Sequence, residues 1–269
     1  MPKLHMLKSV TDTINTSLIF ESESSLIVFD GGFAVEAEYL HEYLLGLGGH
    51  VDTWFLTHAH KDHVDACHAI LANYSDITVD KVCYNFPQDK WFAAHDSTGE
   101  GLEVSSRLRK VCADKKIPTV TAELCDLYDF DGFSVRVLQT PDEKITNNPI
   151  NNSSVVYRVE IGETRVLILG DLGVEGGRQL VDTLSPSMMR ADYCQMAHHG
   201  QNGVEKEVYE AIRPRFCLWC TPSWVWDNLG PGGYDTGRLQ TVIVRGWMSE
   251  LGCVERHYRM IDGTAVIDL

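Results

Sequence analysis

The sequence predicts a mixed α/β fold, and three observations lead there. Apolar strand-like runs alternate with stretches of helical spacing along nearly the whole chain. Polar, metal-competent residues stand directly after apolar runs: Asp30, the cluster His58-Ala59-His60-Lys61-Asp62-His63, Asp171, and His198-His199. No low-complexity segment, solenoid-period repeat or Pro/Gly/Ser-rich linker divides the 269 residues, so one domain over 1–269 is expected.

Taken in order, the first third reads strand, turn, strand: 16–20, the polar Glu21-Ser22-Glu23-Ser24, then 25–29 closing in Asp30-Gly31-Gly32. Residues 35–47 have helical spacing and stop at Gly48-Gly49. A buried strand over 51–56 runs into the histidine cluster, followed by a helix over 64–74 and a short strand over 81–84. Residues 103–115 read as a helix whose basic cluster is a solvated face. Strands follow near 119–121, 133–139, 154–161 and 165–169, the last ending in Gly170-Asp171. After a helical stretch, a strand over 191–197 ends in His198-His199-Gly200. A helix over 204–212, a strand over 216–220, a helix within 236–251, and a closing hairpin of 254–260 with 264–267 complete the reading.

The cluster at 58–63 carries most of the functional signal. His58 and His60 are two apart, so in an extended segment both rings project to one side and can converge on one ion. Asp62 and His63, just past the turn, can face a second ion. A lone histidine reads as a surface or hydrogen-bonded core residue. Three histidines and an aspartate in six positions do not, because such close imidazoles repel when protonated and gain little from packing. Groups at like ends of neighbouring strands can meet in one cleft, which brings Asp171 and His198-His199 to the same place. Asp30-Gly31 and Gly170-Asp171 are also turn chemistry. Asp171 reads as a ligand and Asp30 as a residue that orients one. Histidine and carboxylate donors without cysteine suit Zn²⁺, with Mn²⁺ or Fe²⁺ as alternatives, and two ions are expected.

Together, His58-x-His60-x-Asp62-His63, the strand-end Asp171 and the later strand-end histidine resemble the metallo-β-lactamase fold. The resemblance implies a four-layered α/β/β/α sandwich with one or two metal ions between the sheet edges. The chain is closest in pattern to the metallo-hydrolase domain of the competence (DNA-uptake) proteins and its free-standing relatives. That similarity rests on Asn151-Asn152-Ser153-Ser154, Leu167-Ile168-Leu169-Gly170-Asp171-Leu172, Gln195-Met196-Ala197-His198-His199-Gly200 and the tail Tyr258-Arg259-Met260-Ile261-Asp262-Gly263. It implies that His58 and His60 bind the first ion, and Asp62 and His63 the second. Asp171 bridges the two, and His198 completes the second set. His199 either donates to substrate or exchanges places with His198. Asp30 holds the histidine loop by hydrogen bonds from behind the ligands. Two positions depart from the pattern. The further histidine that usually serves the first ion is missing, since residues 64–170 contain only His68 and His95, and Asn152 in the matching region offers a neutral carbonyl oxygen. Gln201 stands where the subgroup has serine after His-His-Gly.

These donors imply a hydrolase. Water on such ions has its pKa lowered from ~15.7 to about 7, giving a hydroxide nucleophile at neutral pH. Asp62 can orient that water or take its proton, with His199 as the second catalytic candidate. No Gly-x-Ser-x-Gly elbow and no Gly-x-x-x-x-Gly-Lys-Ser/Thr loop competes for the chemistry. A phosphate ester or phosphodiester is the expected substrate; an ester, lactone or thioester is the alternative. A non-catalytic metal- or ligand-binding regulatory domain is a third reading, prompted by the missing histidine. Trp226 and Tyr234, in the aromatic, glycine-rich run 224–234, are candidate substrate contacts, and the same run also reads as a cover for the core. Residues 86–101, with Trp91, Phe92 and His95, are a second candidate.

The net charge of −15 disfavours strong non-specific nucleic-acid binding and points to a small or short phosphoester. No apolar run of membrane-spanning length is present, so no membrane association is expected. Residues 1–8 carry positive charge without an apolar stretch, so no secretory signal is expected. That argues against β-lactam hydrolysis and for a cytoplasmic protein. The eight scattered cysteines then read as reduced thiols, with Cys217-Leu218-Trp219-Cys220 inside a strand rather than in a zinc or redox motif.

Overall fold

Strands apolar on both faces need cover on both sides, and the chain answers with two stacked sheets between helices. The computed structural model describes residues 1–269. The first sheet has seven strands in the spatial order Ala265–Asp268, Lys3–Met6, Ser17–Glu21, Leu26–Asp30, Thr53–Phe55, Val82–Tyr84, Thr119–Thr121. The second also has seven: Arg256–Arg259, Phe216–Trp219, Tyr193–Gln195, Thr164–Ile168, Val156–Ile161, Phe133–Gln139, Leu127–Phe130.

The period of two sorts the side chains into layers. Leu4, Met6, Leu18, Phe20, Ile27, Phe29 and Phe55 point between the sheets, where they meet Val135, Tyr157, Val159 and Ile168. The alternate residues Ile19, Leu26, Val28 and Trp54 face outward and are covered by the helices Ala37–Gly46, Lys61–Asn73 and Glu100–Lys115. On the far side, Leu167, Cys194, Cys217 and Trp219 face Leu180, Val208, Tyr209, Val244 and Met248 of the second helical layer. The order of layers is α/β/β/α.

Several expectations shift. The run 51–56 splits at Asp52, whose carboxylate accepts the Leu26 N–H at 2.6 Å. His50–Val51 pairs with Thr78–Val79 in a small separate sheet, and Thr53–Phe55 alone joins the large one. The closing segments do not form a hairpin: Arg256–Arg259 pairs with Phe216–Trp219 in the second sheet, whereas Ala265–Asp268 pairs with Lys3–Met6 in the first. Three short strands, Lys3–Met6, Thr78–Val79 and Leu127–Phe130, lie outside the expected elements. The last is an edge strand of four residues with Leu127 and Asp129 exposed. All eight cysteines are free thiols, and Cys217 and Cys220 are buried in or beside the Phe216–Trp219 strand. Burial pushes the Cys220 thiol up to about 12, which leaves it unreactive.

One contact between the sheets positions the site. The Val155 N–H donates to the Thr57 carbonyl at 2.9 Å, and the Tyr157 hydroxyl donates to the Leu56 carbonyl at 3.1 Å. The end of Thr53–Phe55 is therefore tied to the start of Val156–Ile161. Gly170 lies in this seam with φ +56°, and a Cβ there would stand 2.8 Å from both Ser154 Oγ and Thr57 Cβ.

Candidate metal centre

Four strand ends converge at that seam. Leu26–Asp30 ends in Asp30, Thr53–Phe55 leads to the histidine cluster, Thr164–Ile168 leads to Asp171, and Tyr193–Gln195 leads to His198-His199. Asp62 and His63 fall in the first turn of Lys61–Asn73. The Lys61 N–H that begins this helix donates to Glu100 Oε1 at 3.0 Å, so the start of a neighbouring helix fixes its entry.

Asp30 is the rear support. Fully buried, it accepts the Thr57 N–H at 2.8 Å, the Thr57 hydroxyl at 2.9 Å and His63 Nδ1–H at 2.7 Å, while its carbonyl accepts Trp54 Nε1–H at 2.7 Å. Because the Thr57 hydroxyl donates to Asp30, its oxygen accepts from His58 Nδ1 at 3.0 Å. His199 Nδ1–H donates to the Cys220 carbonyl at 2.9 Å, and His198 Nδ1–H to the Asn202 carbonyl at 3.1 Å. A carbonyl can only accept, so these bonds set the tautomers. His58, His63, His198 and His199 are each fastened by Nδ1 and turn Nε2 toward Asp171 at 3.8, 3.2, 3.8 and 3.3 Å.

The donors fall into two sets that share Asp171. One holds Asp62, His63, Asp171 and His199, the other His58, His60 and Asp171, and in each the ligand atoms lie within 4.8 Å of one another. In the first-named set, Asp62 Oδ2 is 3.0 Å from His199 Nε2 and 3.7 Å from His63 Nε2. In the other, His58 Nε2 is 2.9 Å from His60 Nδ1. Donors held about 2.0–2.1 Å from one tetrahedral ion lie roughly 3.3 Å apart, which these spacings bracket.

The electrostatics also ask for positive charge. Burial opposes ionisation of His63, yet Asp171, Asp30 and Asp62 raise it well above its ordinary value. His199 is likewise raised to about 9 against its burial, by Asp171 and Asp62. Burial and the neighbouring His63 push His58 well down, and burial lowers His60. Burial opposes the charge on Asp171, but His199, His63 and His198 hold it well below the usual carboxylate range. His63 Nε2 and Asp171 Oδ1 are buried without hydrogen-bond partners. Such atoms are costly to leave unpaired, and a divalent cation among them satisfies both. The residues fit the group.

The structure exchanges the two adjacent histidines. His199 is fully buried inside the four-donor set, whereas His198 is 22% exposed and belongs to neither set. Both have left-handed backbones (φ 51° and 56°), followed by Gly200 at 75°. Gly200 is required, since a Cβ there would meet Trp219 at 2.3 Å. Three consecutive left-handed residues carry strain that surrounding packing must hold, and they reverse which ring faces inward.

Asn152 also departs from expectation. Its Oδ1 accepts the Gly173 and Gly176 N–H groups at 3.1 and 3.0 Å, and its Nδ2 donates to the Asn147 carbonyl at 2.8 Å. It braces the turn after Asp171 rather than any ligand. Asn151 is the asparagine at the centre, with Nδ2 3.5 Å from His198 Nε2. Trp226 is 8% exposed, stacked edge-on to Trp219 at 5.2 Å beneath Arg245 and Arg259 at 4.1 and 5.1 Å, so it packs rather than meeting substrate. Tyr234 is 58% exposed, and no hydrogen bond links it to the histidines. Trp91 and Phe92 are core residues.

Three further residues, Gln195, Ser154 and Thr221, support the centre without being expected site residues. Gln195, wholly buried, accepts the Leu169 N–H at 2.9 Å and donates to the Gly170 carbonyl at 3.1 Å, fixing the approach to Asp171. Ser154 Oγ accepts the Asp171 N–H at 3.1 Å, and Thr221 Oγ1 donates to the His199 carbonyl at 2.6 Å. A polar residue within an apolar run, as at Gln195, is the signal that was available. A cavity of about 520 Å³ between Arg136–Glu143 and Gln179–Met188 is lined by none of the centre's residues.

No family model matches the sequence, and no curated protein matches it. Among solved structures, the chain is similar over its whole length to the metallo-β-lactamase fold protein YhfI from Bacillus subtilis, with a TM-score of 0.59, 12% identity and 100% of both chains covered. It is similar to a metallo hydrolase from the archaeon Ignicoccus hospitalis at a TM-score of 0.58 and 13% identity, covering 100% of this chain and 99% of that one. CmlA, a diiron β-hydroxylase from Streptomyces venezuelae, gives 0.59 and 13%, covering 100% of this chain and 54% of that one. The chain has the metallo-β-lactamase fold. Its donor sets lie where the two sheets of that fold meet. No helix is long and apolar enough to cross a membrane.

Proposed function

We propose that the protein is a single-domain, binuclear metal-dependent hydrolase acting on a small phosphate ester or short phosphodiester. The observation that carries this is the sharing of one buried carboxylate, Asp171, by two donor sets, with Asp171 Oδ1 and His63 Nε2 left without hydrogen-bond partners. Zn²⁺, Mn²⁺ or Fe²⁺ bound there would supply Lewis acidity and hydroxide at neutral pH. A fold neighbour described as a diiron enzyme makes iron one of the metals to test. Asp171 would be shared by both ions, His58 and His60 would serve one, and Asp62, His63 and His199 the other.

The chain's own residues then divide the work. Asp30 and Thr57 hold His63 and His58 from behind. Asp62 has a side chain 14% exposed, while those of His58, His63 and His199 are fully buried. It can meet incoming water, orient it, and take its proton on the carboxylate. Phosphoester is favoured over ester, lactone or thioester by the likeness to the competence-protein subgroup. The charge of −15 favours a small substrate over long DNA in a cytoplasmic setting.

Metal analysis of metal-replete protein is expected to find ions bound, and near-zero stoichiometry would sink the proposal. Turnover of bis-p-nitrophenyl phosphate is expected to exceed that of p-nitrophenyl acetate and a lactone panel with Zn²⁺, Mn²⁺ or Fe²⁺ added; the reverse order would transfer the reading to acyl substrates. Asp62→Ala and His63→Ala are each expected to abolish activity, and wild-type turnover in either would refute the site.

A further inference from the structure

We propose that His198 supplies the third imidazole for the ion held by His58 and His60, replacing the histidine that the chain lacks between residues 64 and 170. This rests on the binuclear reading and goes beyond it by assigning the incomplete set a chain-specific ligand. His198 is built as the other donors are. Its Nδ1–H is committed to the Asn202 carbonyl, so the Nε2 lone pair is free. That Nε2 stands 3.8 Å from Asp171 Oδ2, and His58 Nε2 stands 3.8 Å from the same oxygen. The other set already has four donors within reach of one another, the number a tetrahedral ion takes.

Its backbone is held with equal care. The His198 N–H donates to the Gly170 carbonyl at 3.0 Å, beside Asp171. Asn202, which fastens the ring through its carbonyl, accepts the Gln240 N–H at 2.9 Å on its side chain. A surface histidine with no role needs neither the left-handed conformation nor these anchors. The ring is 22% exposed, so rotation of the side chain can carry Nε2 toward the set.

Asn151 is the positioning residue. It is 4% exposed, and its Nδ2, held by Asn148 Oδ1 at 3.1 Å, can donate to His198 Nε2 at 3.5 Å. Its Oδ1 is buried with no partner. Without metal, Asn151 keeps the Nε2 lone pair turned inward; with metal, the ion takes that lone pair. Histidine at position 151 would therefore place an imidazole beside the one it replaces.

The experiment titrates Zn²⁺ into metal-free protein by calorimetry and counts bound metal after gel filtration. His198→Asn is the primary variant because asparagine tolerates a left-handed backbone, and circular dichroism with a thermal melt confirms that it folds. Wild type is expected to bind two ions. His198→Asn is expected to keep one at wild-type affinity and to weaken the other by about tenfold or more, the least that losing a supporting group costs a metal site. His198→Asn/Asn151→His is expected to recover the second equivalent. Cobalt(II) absorption supplies a second readout, with the variant changing one of two overlapping spectra. Two ions bound with wild-type affinity and an unchanged cobalt spectrum in His198→Asn would overturn the proposal. A wild type that binds no metal would instead overturn the binuclear reading, and the two failures are distinct.

Discussion

Asp30 shows how much one residue can hold. It accepts three hydrogen bonds on its carboxylate, from two groups of Thr57 and from His63 Nδ1, with no exposure to water. Asp30→Ala leaves three buried donors unpaired, each costing about 1–3 kcal/mol. Urea unfolding should therefore show a loss of about 3 kcal/mol or more, and metal affinity should fall roughly 10–100-fold as His63 loses its orientation. A variant with wild-type midpoint and metal affinity would show that the support is not needed. At this scale the donors were readable because their residue types, crowded into 58–63 and placed after strands, have few other uses. The order of His198 and His199 was not. Which ring faces inward depends on a left-handed backbone that rests on Trp219 and Gly170, both well separated from it in sequence. Asn151 and Asn152 are the same case, since adjacent identical side chains differ only in which way the turn at 149–152 points them.

Helix entry sets the positions of Asp62 and His63. Lys61–Asn73 is capped by Glu100, and Glu100 begins its own helix on a cap built by Asp96. Asp96 Oδ1 accepts the Thr98 N–H and hydroxyl at 2.9 and 2.6 Å, and Oδ2 accepts the Gly101 N–H at 2.9 Å. Burial would raise this carboxyl, but the hydrogen bonds from Thr98, Gly101 and Gly99 outweigh it and hold it below its ordinary 3.8. The lowered value means that Asp96 stabilises the fold at pH above its unfolded value, and that this is lost as pH falls through the folded one. Asp96→Ala should cost about 0.5–2 kcal/mol at pH 7, and the gap from wild type should narrow as chemical melts are repeated below about pH 4. A gap that stays constant with pH would remove the carboxylate from the argument. Helices were legible because burial of one face imposes a period of 3.6, and central strands because burial of both faces leaves near-continuous apolar runs. Elements without that pressure, such as the edge strand Leu127–Phe130, were not. Nor was the closing crossover, because Arg256–Arg259 and Ala265–Asp268 read as adjacent strands whichever sheet each one joins.

At the scale of the whole molecule, the donor sets bridge the two sheets. His58, His60, Asp62 and His63 follow a strand of the first sheet; Asp171 and His199 follow strands of the second. Each set includes Asp171, so neither can form unless both sheets are in place. Ion binding is therefore coupled to the complete fold and not to one half. An ion that binds only the folded chain stabilises it by RT ln(1 + [L]/Kd), about 2.7 kcal/mol at a hundredfold excess over Kd. For a chain of this length that corresponds to a rise in Tm of roughly 5–10 °C. Scanning calorimetry with and without a chelator should show that shift as movement of a single transition. If metal shifted only part of the transition, the sheets would unfold independently and the seam at Thr57 and Val155 would not couple them. If it shifted nothing, the unpaired His63 Nε2 and Asp171 Oδ1 would be a defect of packing and not a place for a cation.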